Sequence, residues 1–191
     1  GTGFNKKRKV RYIPIVDALD ADGRVVGAAA TLLIHDGERQ SGMVANLPIP
    51  DPGFFANPDA QGWITALALR MLDGVFLFEG GAEYYASFGG ERMRSGARIV
   101  STAGNQAAHE VRIVVTGPAG KVVTPPTVMV LKSVAGEEAQ SSDSWIPPDA
   151  TGPFRVTVEL VRDGKVIDRL AHEVNIWRPN PMPHFITTRD G

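Results

Sequence analysis

Hydrophobic and polar positions alternate most regularly near the C-terminal end of the chain. Phe154, Val156, Val158 and Leu160 are separated by Arg155, Thr157 and Glu159, the period of a strand with one buried face. Asp163-Gly164 follows as a tight turn, and Leu170, His172, Val174 and Ile176 then share one face of a returning strand. Upstream, residues 109–116 alternate with Val111, Ile113 and Val115 on one side. Gly117-Pro118-Ala119-Gly120 turns, and residues 127–134 read as another strand. Arg98-Ile99-Val100 is a short strand. Short strands joined by Gly/Pro turns, with little helical periodicity, predict an antiparallel β-sandwich over residues 96–178. The run Arg178-Pro179-Asn180-Pro181-Met182-Pro183 cannot continue a ladder, so residues 179–191 leave the domain as a Pro-rich tail.

The first 90 residues follow other periods. Val10 to Val16 and Val25 to Ile34 form a hairpin around Asp20-Ala21-Asp22-Gly23, with Gly23 at a positive-φ position. Pro14 implies an edge position or a bulge, and the small residues 27–30 imply close approach by another layer. His35-Asp36-Gly37-Glu38 is a second turn, and residues 42–47 a third strand. A helix spans 58–72. Asn57 is its N-cap, Pro58 its first residue and Gly74 its stop, and Asp59 complements the positive end of the dipole. Trp63, Ile64, Leu67, Ala68, Met71 and Leu72 recur at helical spacing and predict a core-facing stripe. Val75-Phe76-Leu77-Phe78 is a short apolar strand. Residues 79–90 hold four glycines and three aromatics and read as an interdomain connector or surface loop. The fold class expected is mainly β: a sandwich preceded by a smaller α/β segment over 1–90 that is incomplete alone. No internal repeat is visible.

The formal net charge is −1, so no whole-chain field gathers nucleic acid or an anionic membrane, and neither is expected as a partner. Lys6-Lys7-Arg8-Lys9 reads as a solvated lead-in to the first strand rather than a nucleic-acid or sorting element. The absence of cysteine removes disulfides, thiolate nucleophiles and cysteine-based metal sites. No apolar run reaches the roughly 18 residues of a membrane span, and no signal peptide is visible. Gly1-Thr2-Gly3 reads as an appended remnant and the chain as a piece of something longer. Composition leaves the compartment open, with a lean to secretion or the periplasm.

Asp20-Ala21-Asp22-Gly23 is not a calcium loop. With Gly23 sixth, the first and twelfth positions are Ala18 and Ala29, where carboxylates are required. There is no Gly-x-Ser-x-Gly elbow and no phosphate-binding glycine pattern. His35, His109, His172 and His184 lack ligand spacing, and His172, on an inward face, reads as a hydrogen-bonded core histidine. No metal and no cofactor is expected. Glu79 and Glu83 bracket the Gly-rich run beside Tyr84, Tyr85 and Phe88. Two carboxylates near aromatics are what glycoside hydrolysis uses, and rings stack on the apolar faces of sugars. Three readings are open for these five residues: a solvated loop, a binding or interface surface that contacts carbohydrate, and, least expected, a catalytic pair. The rings themselves are expected to seal the domain junction, since large aromatics are more often buried than displayed. Trp63, Trp145 and Trp177 are expected in core or interdomain packing.

Two stretches resemble the C-terminal accessory regions of multidomain bacterial glycoside hydrolases that follow a (β/α)8 catalytic barrel. Ser41 to Leu47, Pro52-Gly53-Phe54-Phe55 and Trp63 to Leu72 resemble the last strand and helix of a glutamine-amidotransferase-like domain of some β-galactosidases. The cysteine nucleophile usual in that fold is absent. Gly152 to Leu160 with Asp163-Gly164-Lys165-Val166 is similar to the closing hairpin of immunoglobulin-like modules on bacterial carbohydrate enzymes. The stretches cover about half the chain, and no family catalytic residue matches a position here. The resemblance implies a non-catalytic accessory module whose partners are the catalytic domain of its own polypeptide and a carbohydrate. The alternatives are a cell-surface or periplasmic protein-interaction module and, last, a stand-alone enzyme.

Overall fold

The computed structural model describes residues 3–35, 42–101, 108–123, 125–132 and 136–178. Strand β1 (Val10–Leu19) and β2 (Val25–His35) form the hairpin, and β3 (Met43–Asn46) joins β2 antiparallel. Helices α1 (Pro52–Ala56) and α2 (Pro58–Asp73) follow. Then come β4 (Val75–Ala82), β5 (Ala86–Phe88), β6 (Arg92–Ser101), β7 (Ala108–Thr116) and β8 (Thr127–Lys132). The chain closes with β9 (Gly136–Trp145), β10 (Gly152–Arg162) and β11 (Lys165–Trp177). Three sheets result, in the orders β1-β2-β3, β5-β11-β10-β7-β8 and β4-β6-β9. The fold is mainly β, as expected.

The sheets stack as three layers with β4-β6-β9 in the middle. Val111, Ile113, Val115, Phe154, Val156, Val158, Leu160, Val174 and Ile176 project from the five-stranded sheet onto Val75, Leu77, Ala97 and Ile99, forming the main core. The alternation of β7, β10 and β11 thus faces as its pattern requires. On the other side of the middle sheet, Phe76, Phe78 and Val100 pack against Leu32 and Ile34, with Ile13, Ile15, Met43, Ala45 and Met71 around them. Strand β4 is buried along its whole length because alternate side chains fill the two cores. That is why Val75-Phe76-Leu77-Phe78 lacks any alternation. Fully burying each such side chain is worth about 1.5–3 kcal/mol. Arg11 of β1 crosses the second interface: its guanidinium bonds the Leu77 carbonyl and holds Asp168 through Nη1 at 2.5 Å and Nη2 at 3.0 Å. Asp168 in turn accepts from the Leu77 N–H at 2.9 Å.

The structure departs from several expectations. Residues 79–90 are neither a connector nor one loop, because Glu79 to Ala82 continue β4 and Ala86–Phe88 forms β5, parallel to β11. The sandwich therefore recruits strands before residue 96, and β6 runs for ten residues rather than three. Strand β9, GEEAQSSDSW, carries no apolar alternation and lies at one edge of the middle sheet. Pro14 does occupy an edge strand, beside a register shift between Pro14 and Val16. The close approach expected at 27–30 holds at Ala30, which is fully buried, and fails at Gly27, where a Cβ would meet nothing within 4 Å.

Helix α2 has the expected caps: the Asn57 side chain accepts from Asp59 N–H at 2.8 Å, and Gly74 takes φ 72°. Its apolar stripe is only partly covered: Met71 packs at the margin of the second core, Trp63, Ile64 and Leu67 are half-buried, and Ala68 and Leu72 are exposed. Ala60 is its one buried residue, and Leu72 is 76% exposed. The helix is tethered by its last turn, where Arg70 stacks 3.8 Å over the Phe76 ring and Asp73 pairs with Arg162 at 2.5 Å. Trp145 and Trp177, expected in packing, are exposed. The turn expected at 36–38, residues 133–134 and the tail 179–191 lie outside the described residues.

Candidate functional site

The five residues singled out for carbohydrate divide between two environments. Glu79 lies within β4, 2% exposed, with its carboxylate turned onto the N-terminal segment. Its two oxygens accept the Lys6 N–H at 3.2 Å and the Arg8 N–H at 3.0 Å, and the Arg98 guanidinium stands 3.6 Å away. Desolvating a carboxylate is costly unless donors replace water, and here two backbone donors and a cation do so. Glu79 anchors a strap and does not meet solvent beside the tyrosines.

The strap is residues 3–9, of which Lys6 to Lys9 were expected to be a solvated lead-in and Gly3 part of an appended remnant. Gly3 instead exchanges backbone bonds with Gly80, donating at 3.0 Å and accepting at 3.2 Å, and Phe4 donates to the Ala82 carbonyl at 3.0 Å. Phe4 is buried against Gly96, where a Cβ would come within 2.6 Å of its ring. Asn5 and Lys7 take positive φ to hold the path. The glycines of the run stand at close approaches: a Cβ at Gly80 would meet Val158 at 3.1 Å, and one at Gly89 the Pro148 carbonyl at 2.6 Å. Gly81 has φ 131°, and a Cβ there would fall 2.5 Å from the Cβ of His172 and 3.1 Å from Gly3.

Beyond Ala82 the chain turns outward, pinned at both ends. Glu83 N–H donates to the Arg94 carbonyl at 2.9 Å, Asn175 N–H to the Tyr85 carbonyl at 2.9 Å, and Gly89 N–H to the Trp177 carbonyl at 3.0 Å. The Glu83 carboxylate accepts from Asn5 Nδ2 at 2.8 Å and from Arg94 at 3.3 Å. From this frame Tyr84 is 65% exposed and Tyr85 55%, so neither ring seals a junction. Tyr85 is nonetheless flanked: Lys6 Nζ sits 4.5 Å over its ring and the His172 ring lies 4.9 Å away at 52°. Lys6 also donates to the Glu83 carbonyl. Tyr84 is therefore the more open apolar face. Phe88, 46% exposed, stands in register with Trp177 on the neighbouring strand, a pairing that the sequence reading did not contain.

His172 is the buried base of this turn, as its inward position implied, with Nε2 at 3.3 Å from the Tyr84 carbonyl. Burial lowers its pKa, the Tyr84 carbonyl pulls it up, and Lys6 and Arg8 lower it further. His109, buried at the far end of the main core, is also lowered by burial. Among the described residues no group of histidine, aspartate and glutamate is disposed to hold a metal ion. Asp20 accepts from the Asp22 and Arg24 N–H groups at 2.9 Å each, an ordinary turn. Among the same residues no helix is long and apolar enough to cross a membrane.

The carboxylates thus do not form an acid–base pair across a substrate. One is sealed beneath the strap, and the other is bound to an amide and an arginine. What faces solvent is a rigid aromatic turn, which can stack on a flat apolar surface.

No family model matches the chain, and no curated protein matches its sequence. Among solved structures, a glycosyl hydrolase family 2 member from Bacteroides cellulosilyticus aligns over 53% of this chain and 14% of its own, at 11% identity and a TM-score of 0.41. A beta-galactosidase from Bacteroides fragilis aligns over 54% and 16%, at 16% identity and 0.43. A CARDB domain from Pyrococcus furiosus, solved in complex with di-metal ions, aligns over 54% and 87%, at 11% identity and 0.41. The chain thus spans a small fraction of the two hydrolase chains. Likenesses this distant transfer neither site nor activity.

Proposed function

We propose that this chain is a non-catalytic accessory module of a larger carbohydrate-active protein, seated against its catalytic domain and touching glycan through Tyr84, Tyr85 and Phe88. One observation carries the reading. Two adjacent tyrosines stand more than half exposed on a turn whose backbone is fixed at Glu83, Tyr85 and Gly89. Displayed rings on a fixed frame bind with little ordering cost, and a tyrosine offers a flat apolar face with a hydroxyl at its edge. Glu79 is set aside as a contact because of its burial. The division into an N-terminal segment and an immunoglobulin-like sandwich is kept, with the boundary moved to Gly74 so that β4 belongs to the sandwich. The glutamine-amidotransferase-like reading of residues 41–72 rests on sequence, and the antiparallel pairing of β3 lends it no weight.

The seat for the catalytic domain is the outer side of the N-terminal segment. Leu69 and Leu72 of α2 are exposed, as are Leu19, Val25 and Val26 at the hairpin end. Exposed apolar patches mark interaction surfaces. The same exposed side chains support the second reading, a protein-interaction module.

A glycan array of the full chain, followed by calorimetry on the best oligosaccharide, tests the proposal. Binding lost on Tyr84→Ala with the fold intact is the expected result. No binding to any glycan, with the parent's catalytic domain present, would end it.

A further inference from the structure

Resting on that reading, we propose that the glycan site continues from the tyrosine turn onto the outer face of the five-stranded sheet, where Trp177, Phe88 and Asn175 form a platform for an extended, neutral β-1,4-linked pyranose chain. Strand β11 buries His172, Val174 and Ile176, so Glu173, Asn175 and Trp177 project from its opposite face. Strand β5 lies parallel beside it, with Ala86 in register with Asn175 and Phe88 with Trp177. Partners across a ladder present their side chains on the same face. Trp177 and Phe88 are both exposed there, and among the described residues no ring contact joins them, so neither ring covers the other. The frame is fixed. Asn175 N–H donates to the Tyr85 carbonyl at 2.9 Å, and Gly89 N–H to the Trp177 carbonyl at 3.0 Å. The Glu91 carboxylate closes the end of β5 by accepting from Phe88 N–H at 3.2 Å and Ser87 Oγ at 3.1 Å.

The chemistry of this corner is that of a hydroxyl-bearing ligand with a flat apolar face. The Asn175 side-chain amide both donates and accepts, and among the described residues neither it nor the Trp177 indole N–H has a hydrogen-bond partner. A pyranose supplies the complement: C–H groups on its face stack on the rings, and hydroxyls at its edge bond the amide. Phe88 and Trp177 stand one strand spacing apart, about 4.8 Å, close to the advance of one sugar along an extended β-1,4-linked chain. Consecutive sugars therefore meet consecutive rings, whereas a coiled α-1,4-linked chain turns its next sugar away. The ionised group among these residues is the Glu91 carboxylate, which accepts from hydroxyls and repels a uronate, so the chain is neutral. The middle of the same face is different: Glu110, Arg112, Glu159 and Arg169 are joined in ion pairs. The aromatic corner is thus not continued by the broad apolar surface of a stable protein interface, which buries about 800 Å² on each partner.

The test compares cellohexaose with maltohexaose, which holds the same glucose units in α-1,4 linkage. Calorimetry on the full chain should show cellohexaose bound about fivefold or more tightly than maltohexaose, with little dependence on salt. Trp177→Ala should weaken cellohexaose about tenfold or more, and Asn175→Ala roughly two- to fivefold, with melting temperatures within about 2 °C of the unsubstituted chain. Trp177→Tyr, which restores a ring, should recover most of the affinity. Equal affinity for the two oligomers, or cellohexaose binding unchanged in Trp177→Ala, would overturn the inference, and loss of that binding on Tyr84→Ala would leave the glycan-contact reading standing. A melting temperature lowered by several degrees in Trp177→Ala would show that the ring packs, and would also overturn it. Another glycan bound through Tyr84, with neither of these oligomers bound, would overturn the platform alone. No glycan bound at all would overturn both.

Discussion

Strand β10 and helix α2 carry the two most regular apolar patterns in the chain, and they end in opposite environments. Phe154, Val156, Val158 and Leu160 of β10 are at most 3% exposed, because sheets lie on either side of the core they enter. Leu67 and Met71 of α2 are only half-buried, and Leu69 and Leu72 project to solvent. Periodicity identifies which face of an element is apolar. Whether that face is covered depends on what else is present, and among the described residues nothing covers Leu69 and Leu72.

The contrast breaks first at the core. Val158→Asp would bury an unpaired charge between the two sheets and should cost at least about 3 kcal/mol in a urea melt. An unchanged midpoint would show that β10 does not face the core. Glu79→Ala comes next. It leaves the Lys6 and Arg8 N–H groups without their acceptor and removes the carboxylate that faces Arg98, at about 2–4 kcal/mol, and should free the strap to exchange its amide protons. Retained protection at Phe4 would show that the strap does not depend on the carboxylate.

The helix should respond less. Leu67→Ala should cost about 1 kcal/mol, below the 2–5 kcal/mol typical of a core leucine, and Leu72→Ala should stay within about 0.5 kcal/mol. If, as proposed, the chain belongs to a larger protein whose other domains cover α2, the cost of Leu72→Ala should grow in that full-length form. The same small cost in both forms would remove α2 from the seat.

The two buried histidines sharpen the comparison by pH. Each has a folded-state pKa below its ordinary 6.5, chiefly through burial, so the unfolded chain binds protons that the folded chain refuses. Stability should be fully present above about pH 6.5 and fall as the pH drops below it. His172→Gln should flatten part of that fall in thermal melts between pH 7 and 5. An unchanged slope would mean that His172 is as solvated folded as unfolded.

The sandwich was legible wherever one face met the core and the other met water, as in β7, β10 and β11. The caps of α2 were legible because capping is local: Asn57, Pro58 and Gly74 act within a few residues. Glu79 to Ala82 look like a loop in sequence because of their glycines, and the reason for those glycines is distant in the chain: a Cβ at Gly80 would meet Val158 and Leu170, and one at Gly81 would meet His172 and Gly3. Polar β9 had no apolar pattern to read. The aromatic residues of the site were found by composition alone. Their display, and the loss of Glu79 from among them, needed the three-dimensional frame. For the same reason a fragment beginning at Ser95 should not fold, since it lacks β4, whose Val75, Leu77, Phe76 and Phe78 fill both cores. A fragment from Val75 to Arg178 retains those side chains.

The central claim is that Tyr84 is displayed for a saccharide rather than kept for packing. Melting temperature and glycan affinity measured together on Tyr84→Ala test it most directly. The expected result is a melting temperature within about 2 °C of the unsubstituted chain, consistent with a surface substitution, and an affinity reduced at least tenfold, about 1.4 kcal/mol. A melting temperature lowered by several degrees with glycan binding unchanged would contradict it.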